Sequence, residues 1–301
     1  MTWLIIALAS SACLGLISIS DKVVFQKYVT TPLSLILVIG IIELIVGVIM
    51  LIVSGIPTKT SIYSNLIAII SGALIAFAIL LLQKVLYTRE VSRTIPITQS
   101  SPIFTALVAL AILGESISSQ QWLGIITAVL GSILISLKLD TGTVKILLHR
   151  SFYLLMLSAF FYGTSNVASK IALEELPILY TQGMRTVTFG LILIGYAFRS
   201  EAFSDVKSLI RKRSPGLKLI MVNQFITAQI GSFLLLWALS LGPASLVAAI
   251  AGTRGLFTLV YSIGISKIWV GILGEDTSNQ SVMIKLISTL LIVVGVVAIA
   301  I

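Results

Sequence analysis

Charge is scarce in this chain. Of 301 residues only 10% are Asp, Glu, Lys or Arg, whereas a water-soluble domain carries about 25%. That shortage excludes a soluble fold, because too few polar side chains remain to cover a surface in water. Cysteine is nearly missing as well: Cys13 stands alone, which rules out an intrachain disulfide and a multi-cysteine metal site. His149 is equally solitary, so no histidine cluster can form. The phosphate-cradling pattern GxxxxGK[ST] does not occur, which removes an ATP-driven mechanism within this chain. The 11 acidic residues are scattered, with none of the clustering that a membrane-embedded transferase needs. Nothing calls for a cofactor or a metal.

What is present is apolar. Hydrophobic residues make up 57% of the chain and the mean hydropathy is +1.12, so lipid is the solvent for most of it. The net charge of +9 is no sign of nucleic acid, because the basic residues lie in short connections between apolar runs. A membrane helix needs about 20 mostly apolar residues. Ten runs satisfy that pattern, near 3–21, 33–53, 62–83, 94–113, 121–137, 152–170, 178–198, 217–238, 244–272 and 285–301. The first lacks the basic leader of a signal peptide and reads as a retained span.

The two halves repeat each other. SACLGLISISDK, from Ser11 to Lys22, aligns with AFFYGTSNVASK, from Ala159 to Lys170, matching Gly15 with Gly163. SPIFTAL from Ser101 aligns with RGLFTLV from Arg254, and each half then reaches an L-G-E, at Glu115 and Glu275. The fold expected is all-α and integral to the membrane: ten helices as two five-helix repeats, 1–140 and 150–301, joined by a loop at 141–149. Five crossings per copy would place the second copy upside down. The charge pattern agrees. Sixteen of the 20 basic residues fall in connections after odd-numbered spans and two, Lys59 and Lys170, after even-numbered ones. That bias puts the odd-numbered loops in the cytoplasm.

With GLISISDK, GTSNVASK, the SPIFTALVALAILGE passage through Trp122 and Gly124, and Arg185 early in span seven, the chain resembles the EamA-type ten-span proteins of the drug/metabolite transporter superfamily. The resemblance covers the whole chain. It implies a secondary transporter with a central cavity between the repeats, commonly exporting amino acids, other metabolites or drugs. It also implies cytoplasmic termini, which conflicts with the charge bias; the charge argument is preferred here. The runner-up classes are a channel or a scaffolding membrane protein. The expected partners are a small organic solute, protons and membrane lipids, and the expected state is a monomer or weak homodimer in the plasma membrane.

Ionisable groups at membrane depth are costly and often mark a pathway. Glu43, midway through span two, is either a proton-coupling carboxylate or the structural partner of a basic or polar group. Arg254, flanked by Gly252, Thr253 and Gly255, either holds a substrate carboxylate or phosphate bidentately or serves as a tether. On the first reading the solute carries a carboxylate, as an amino acid does. Arg185 is expected to be a structural tether, as the resemblance also implies. Asn223, Gln224 and Thr227 share one side of span eight, and Gln99, Ser100 and Asn166 are placed to complete a polar cavity with them. Taken singly, each can equally be an inter-helix hydrogen-bonding group. Glu115 and Glu275 are read as structural carboxylates near the N-terminus of the helix that follows each.

Overall fold

The computed structural model describes residues 2–27, 32–58, 60–88, 98, 100–135, 150–258, 260–261 and 279–300. Among these residues all regular structure is helical. The first half supplies α1 (Thr2–Lys27), α2 (Pro32–Ser54), α3 (Ile62–Thr88), α4 (Ser101–Leu113) and α5 (Ser119–Ile135). The second begins with α6 (Arg150–Leu173), α7 (Ile178–Ala197) and α8 (Ser200–Arg211). It continues with α9 (Pro215–Val222), a π-helical turn (Asn223–Thr227) and α10 (Ala228–Leu241), then α11 (Ala244–Ala251) and α12 (Asn279–Ala300).

Among the described residues, four stretches are long and apolar enough to cross a bilayer: Thr2–Asp21, Leu33–Ser54, Ile62–Val85 and Pro215–Leu241. Helices α6 and α7 are 24 and 20 residues long but more polar, and they turn that polarity inward. Ser158, Ser165, Asn166 and Ser169 of α6 and Thr181, Gln182, Arg185 and Thr186 of α7 are all buried. Large apolar side chains point outward instead, as Ile52 and Ile62 do at 75% and 80% exposure. This reversal is the arrangement expected of a bundle in lipid.

Helix directions follow from which residues touch. Along α2, Gly40 meets Leu193 and Ile194, Leu44 meets Gly190, and Gly47 meets Val187 and Gly183 of α7. The index rises on one helix as it falls on the other, so the pair is antiparallel. A Cβ added at Gly190 would lie 2.6 Å from the Leu44 nitrogen, which is why this seam needs glycine. The pair α5–α12 runs antiparallel in the same way, with Gly131 against Ser288 and Ile292 and Gly295 against Gly124 and Ala128. So do α3–α6, through Ser71–Ser165 and Ala78–Ser158, and α1–α10, through Ser10–Gly231 and Asp21–Asn223.

Exchanging each element with its counterpart (α1 with α6, α2 with α7, α3 with α9–α10, α4 with α11, α5 with α12) reproduces the largest seams. The seam α1–α10 becomes α6–α3, α1–α11 becomes α6–α4, and α2–α7, α5–α12 and α4–α11 map onto themselves. The correspondence reaches single atoms. Thr105 Oγ1 donates to the Ser101 carbonyl at 3.1 Å and to the Gly163 carbonyl at 3.3 Å. Its counterpart Thr258 donates to the Arg254 carbonyl at 2.9 Å and the Gly15 carbonyl at 3.4 Å. Ser10 donates to the Gly231 carbonyl and Ser158 to the Ala78 carbonyl, both at 2.7 Å.

Two elements differ from the sequence reading. The basic connection after span seven holds a helix, α8, which buries Ala202 and Leu209 and exposes Glu201, Lys207 and Arg211. Glu115 does not serve the helix that follows it. Gly114 takes φ +63° to end α4, a conformation that costs glycine little. The turn delivers the Glu115 carboxylate to the start of α11 in the other half. There it accepts from the Ala244 N–H, the Ser245 N–H (3.1 Å) and the Ser245 hydroxyl (2.6 Å), as an anion at a helix N-terminus should. Glu275 lies outside the described residues.

Candidate functional site

The polar centre forms where α1 and α2 meet the π turn and α7 packs on the adjoining α10. A π turn carries one extra residue, and such widenings recur at functional sites. Here it sets Asn223 and Gln224 inward, both buried, with Phe225 and Ile226 facing out. Thr227 is half-buried. The residue that takes the inward place is Gln229, which is buried.

Two carboxylates approach this turn from different helices. Asp21, near the end of α1, accepts from Asn223 Nδ2 at 3.2 Å and lies within electrostatic reach of Arg254. Glu43 of α2 is buried, and its Oε2 accepts from Gln229 Nε2 at 3.1 Å. The same Gln229 Nε2 donates to the Gln224 carbonyl at 3.1 Å, so one amide spans the turn and ties it to the carboxylate. Ser232 Oγ donates to the Gln229 carbonyl at 3.3 Å and accepts from Gln182 Nε2 of α7 at 2.7 Å. Among the described residues, the side-chain oxygens of Gln229, Gln182 and Gln83 are buried with no hydrogen-bond partner. Such orphan acceptors are rare and call for an explanation.

Arg185 also faces Glu43 electrostatically, while its Nε donates to Ser71 Oγ at 2.9 Å and its Nη2 to Ser165 Oγ at 3.4 Å. Ser71 and Ser165 are joined to Ser169 in the same network. A Cβ at Gly72 would meet the Arg185 carbonyl at 2.5 Å, so glycine lets α3 approach closely enough for these bonds. The centre thus holds two carboxylates and two guanidinium groups, a balanced set at membrane depth.

The structure links Glu43 to the Gln224 carbonyl through Gln229, and Asn223 to Arg254 through Asp21. Ser100 and Asn166 sit elsewhere, on the α4–α6 side: Ser100 Oγ lies 3.7 Å from Met156 Sδ, and Asn166 is buried on α6. Gln99 falls outside the described residues. Asp21, Gln229 and Gln182 were not singled out from the sequence. The signal for Asp21 was available: it faces Ser169 across the best-matched segment of the two halves, a charge against a neutral group. At the far end, Lys170 donates to the Leu239 and Gly242 carbonyls at 2.9 and 2.6 Å, closing α10 beside the Glu115 cap. No three His, Cys, Asp or Glu converge as a metal site among the described residues.

The model of the EamA-like transporter family matches residues 1–137 and 150–301. One crystal structure of another protein superposes with a TM-score of 0.66 at 13% identity, covering 100% of this chain and 99% of its own. At that identity the likeness speaks for the fold alone. No curated protein matches.

Proposed function

Because the chain belongs to the EamA-like transporter family, membrane transporters of small solutes, we propose that it is a secondary active carrier working by alternating access. It is an integral membrane protein. On this reading ten spans form two inverted repeats, 1–140 and 150–301, with the odd-numbered connections cytoplasmic, and the carrier exports a small organic metabolite across the plasma membrane. The observation that supports it most is the antiparallel, exchangeable packing of the two halves around a buried polar centre. Two bundles related in this way have near-equal energies in their two packings, so a small difference in contacts tips the balance.

Roles follow from position. Arg254, half-buried and paired electrostatically with Asp21, is the group to receive a substrate carboxylate, because a guanidinium matches that anion in two-point geometry. Asn223, Gln224 and Thr227 supply polar contacts, with Ser100 and Asn166 on the other wall. Glu43 exchanges the coupling proton, and Arg185 holds the bundle together.

A ligand-induced thermal-shift screen of a metabolite panel tests the assignment. Solutes that stabilise the wild type should lose that effect in Arg254→Ala, and carboxylate-bearing compounds should dominate the hits. An undiminished response in the variant would remove Arg254 from the site. A steady single-channel current in planar bilayers would replace the carrier by a channel.

A further inference from the structure

The orphan acceptor on Gln229 has a neighbour able to satisfy it. Gln229 donates through Nε2 to both Glu43 Oε2 and the Gln224 carbonyl. Its amide therefore cannot be turned over without setting oxygen against oxygen. Gln229 Oε1 is left buried and without a partner, on the amide that already contacts the Glu43 carboxyl. An ionised carboxylate has nothing to offer it. A protonated one has an O–H, and an acid and an amide pair through two hydrogen bonds, N–H to carboxyl oxygen and O–H to amide oxygen.

We propose that Gln229 is a positioning residue for the coupling proton: the site is shaped for neutral Glu43, whose O–H donates to Gln229 Oε1. This rests on the reading of Glu43 as the coupling carboxylate. Glu43 takes its proton from a hydronium ion on whichever side the site faces, leaving water, and returns it to water on the other side. Because the same amide also holds the Gln224 carbonyl, protonation tightens the link between α2 and the π turn. Loss of the proton restores the orphan acceptor and loosens it.

The charges around Glu43 are few. From α7 the facing group is Arg185, and the π turn contributes none. The amphipathic helix α8 packs on α2 with Ala202 in their shared apolar cluster; its charged residues are Glu201, Asp205, Lys207 and Arg211. Asp21 reaches the opposite side of the turn through Asn223. The Gln229 N–H and Arg185 both serve the ionised form; the Gln229 oxygen is the contact that would serve the neutral one.

The test needs no transport substrate. Infrared difference titration of the purified protein in lipid vesicles should reveal a protonated carboxyl band that is missing in Glu43→Gln. In Gln229→Met that band should move to higher wavenumber, as a hydrogen bond to the acid is lost. Its midpoint should fall by about one pH unit, a tenfold loss of proton affinity, the scale of one hydrogen bond. An unchanged band and midpoint would overturn the proposal, as would a midpoint moved upward, which makes Gln229 a donor to the carboxylate. A wild-type protein with no Glu43 acid band between pH 4 and 9 would overturn it too, by removing the protonated form. Because metabolite binding and flux are read separately, failure here and failure of the carrier reading are distinguishable.

Discussion

The seams α1–α10 and α3–α6 are built to one plan and filled differently. Each has a serine donating across the helix gap at 2.7 Å, Ser10 in one and Ser158 in the other, and α1 and α6 each pack a glycine, Gly15 or Gly163, against the F-T step of a third segment. At the centre they part. The α3–α6 seam holds Ser71, Ser165 and Ser169 in a network that Arg185 joins. The α1–α10 seam holds Asp21 and Asn223, with Gln229 reaching across to Glu43. Duplicated scaffolds keep what packs; chemistry gathers where the copies have diverged.

That contrast can be broken on the structural side most severely. Arg185→Met removes a buried guanidinium and strands its serine partners and Glu43, and should cost about 3–5 kcal/mol, seen as a large fall in melting temperature. Arg254→Met, at a half-buried position, should cost less than about 1 kcal/mol while abolishing solute-induced stabilisation. Equal destabilisation by the two would erase the distinction between the seams.

Removing the carboxylate of Glu115 exposes the start of α11, and Glu115→Ala should lose about 1–2 kcal/mol, with Glu115→Gln recovering part of it. The glycines sharpen the comparison further. A methyl at Gly163 would lie 2.8 Å from the Thr105 nitrogen, whereas at Gly15 it would meet Phe257 Cβ at 3.0 Å and the Thr258 nitrogen at 3.2 Å. Gly163→Ala should therefore cost about 1–3 kcal/mol and Gly15→Ala less, by thermal melts of the two variants.

The smallest effect lies outside the membrane. Glu175 accepts from the Ser61 and Ser64 hydroxyls and the Ser61 N–H at the start of α3, and these bonds hold its carboxyl below the usual range. Its support for the α3 terminus is complete above about pH 5 and is lost as acid protonates it through the lowered value. Hydrogen exchange at residues 61–65 should quicken only in that acid range, and should be insensitive to pH in Glu175→Gln.

Much of this architecture was legible in the residues. Apolar runs located most of the described helices, and the echo of SPIFTAL in RGLFTLV gave the correspondence between the halves, because lipid demands long apolar segments and packing demands matched glycines. Glu43 stood out as a charge in a hydrophobic span. What was hidden depends on which helices face one another. Gln229 looks like any polar residue until the π turn rotates it towards Glu43. Glu115 finds its helix in the opposite half, and periodicity within one segment carries no word of that. Asp21 sat at a span end, where a charge excites no suspicion. The α8 helix lay in a segment whose basic residues masked two buried apolar ones, Ala202 and Leu209.

On the proposed mechanism, a proton at Glu43 drives movement of a solute. It is tested most directly by reconstituting wild type and Glu43→Gln in liposomes and comparing proton-driven accumulation with solute exchange. The wild type should concentrate one small organic solute when a proton gradient is imposed. The variant should still exchange that solute across the membrane but no longer concentrate it. Full gradient-driven accumulation by Glu43→Gln would contradict the account.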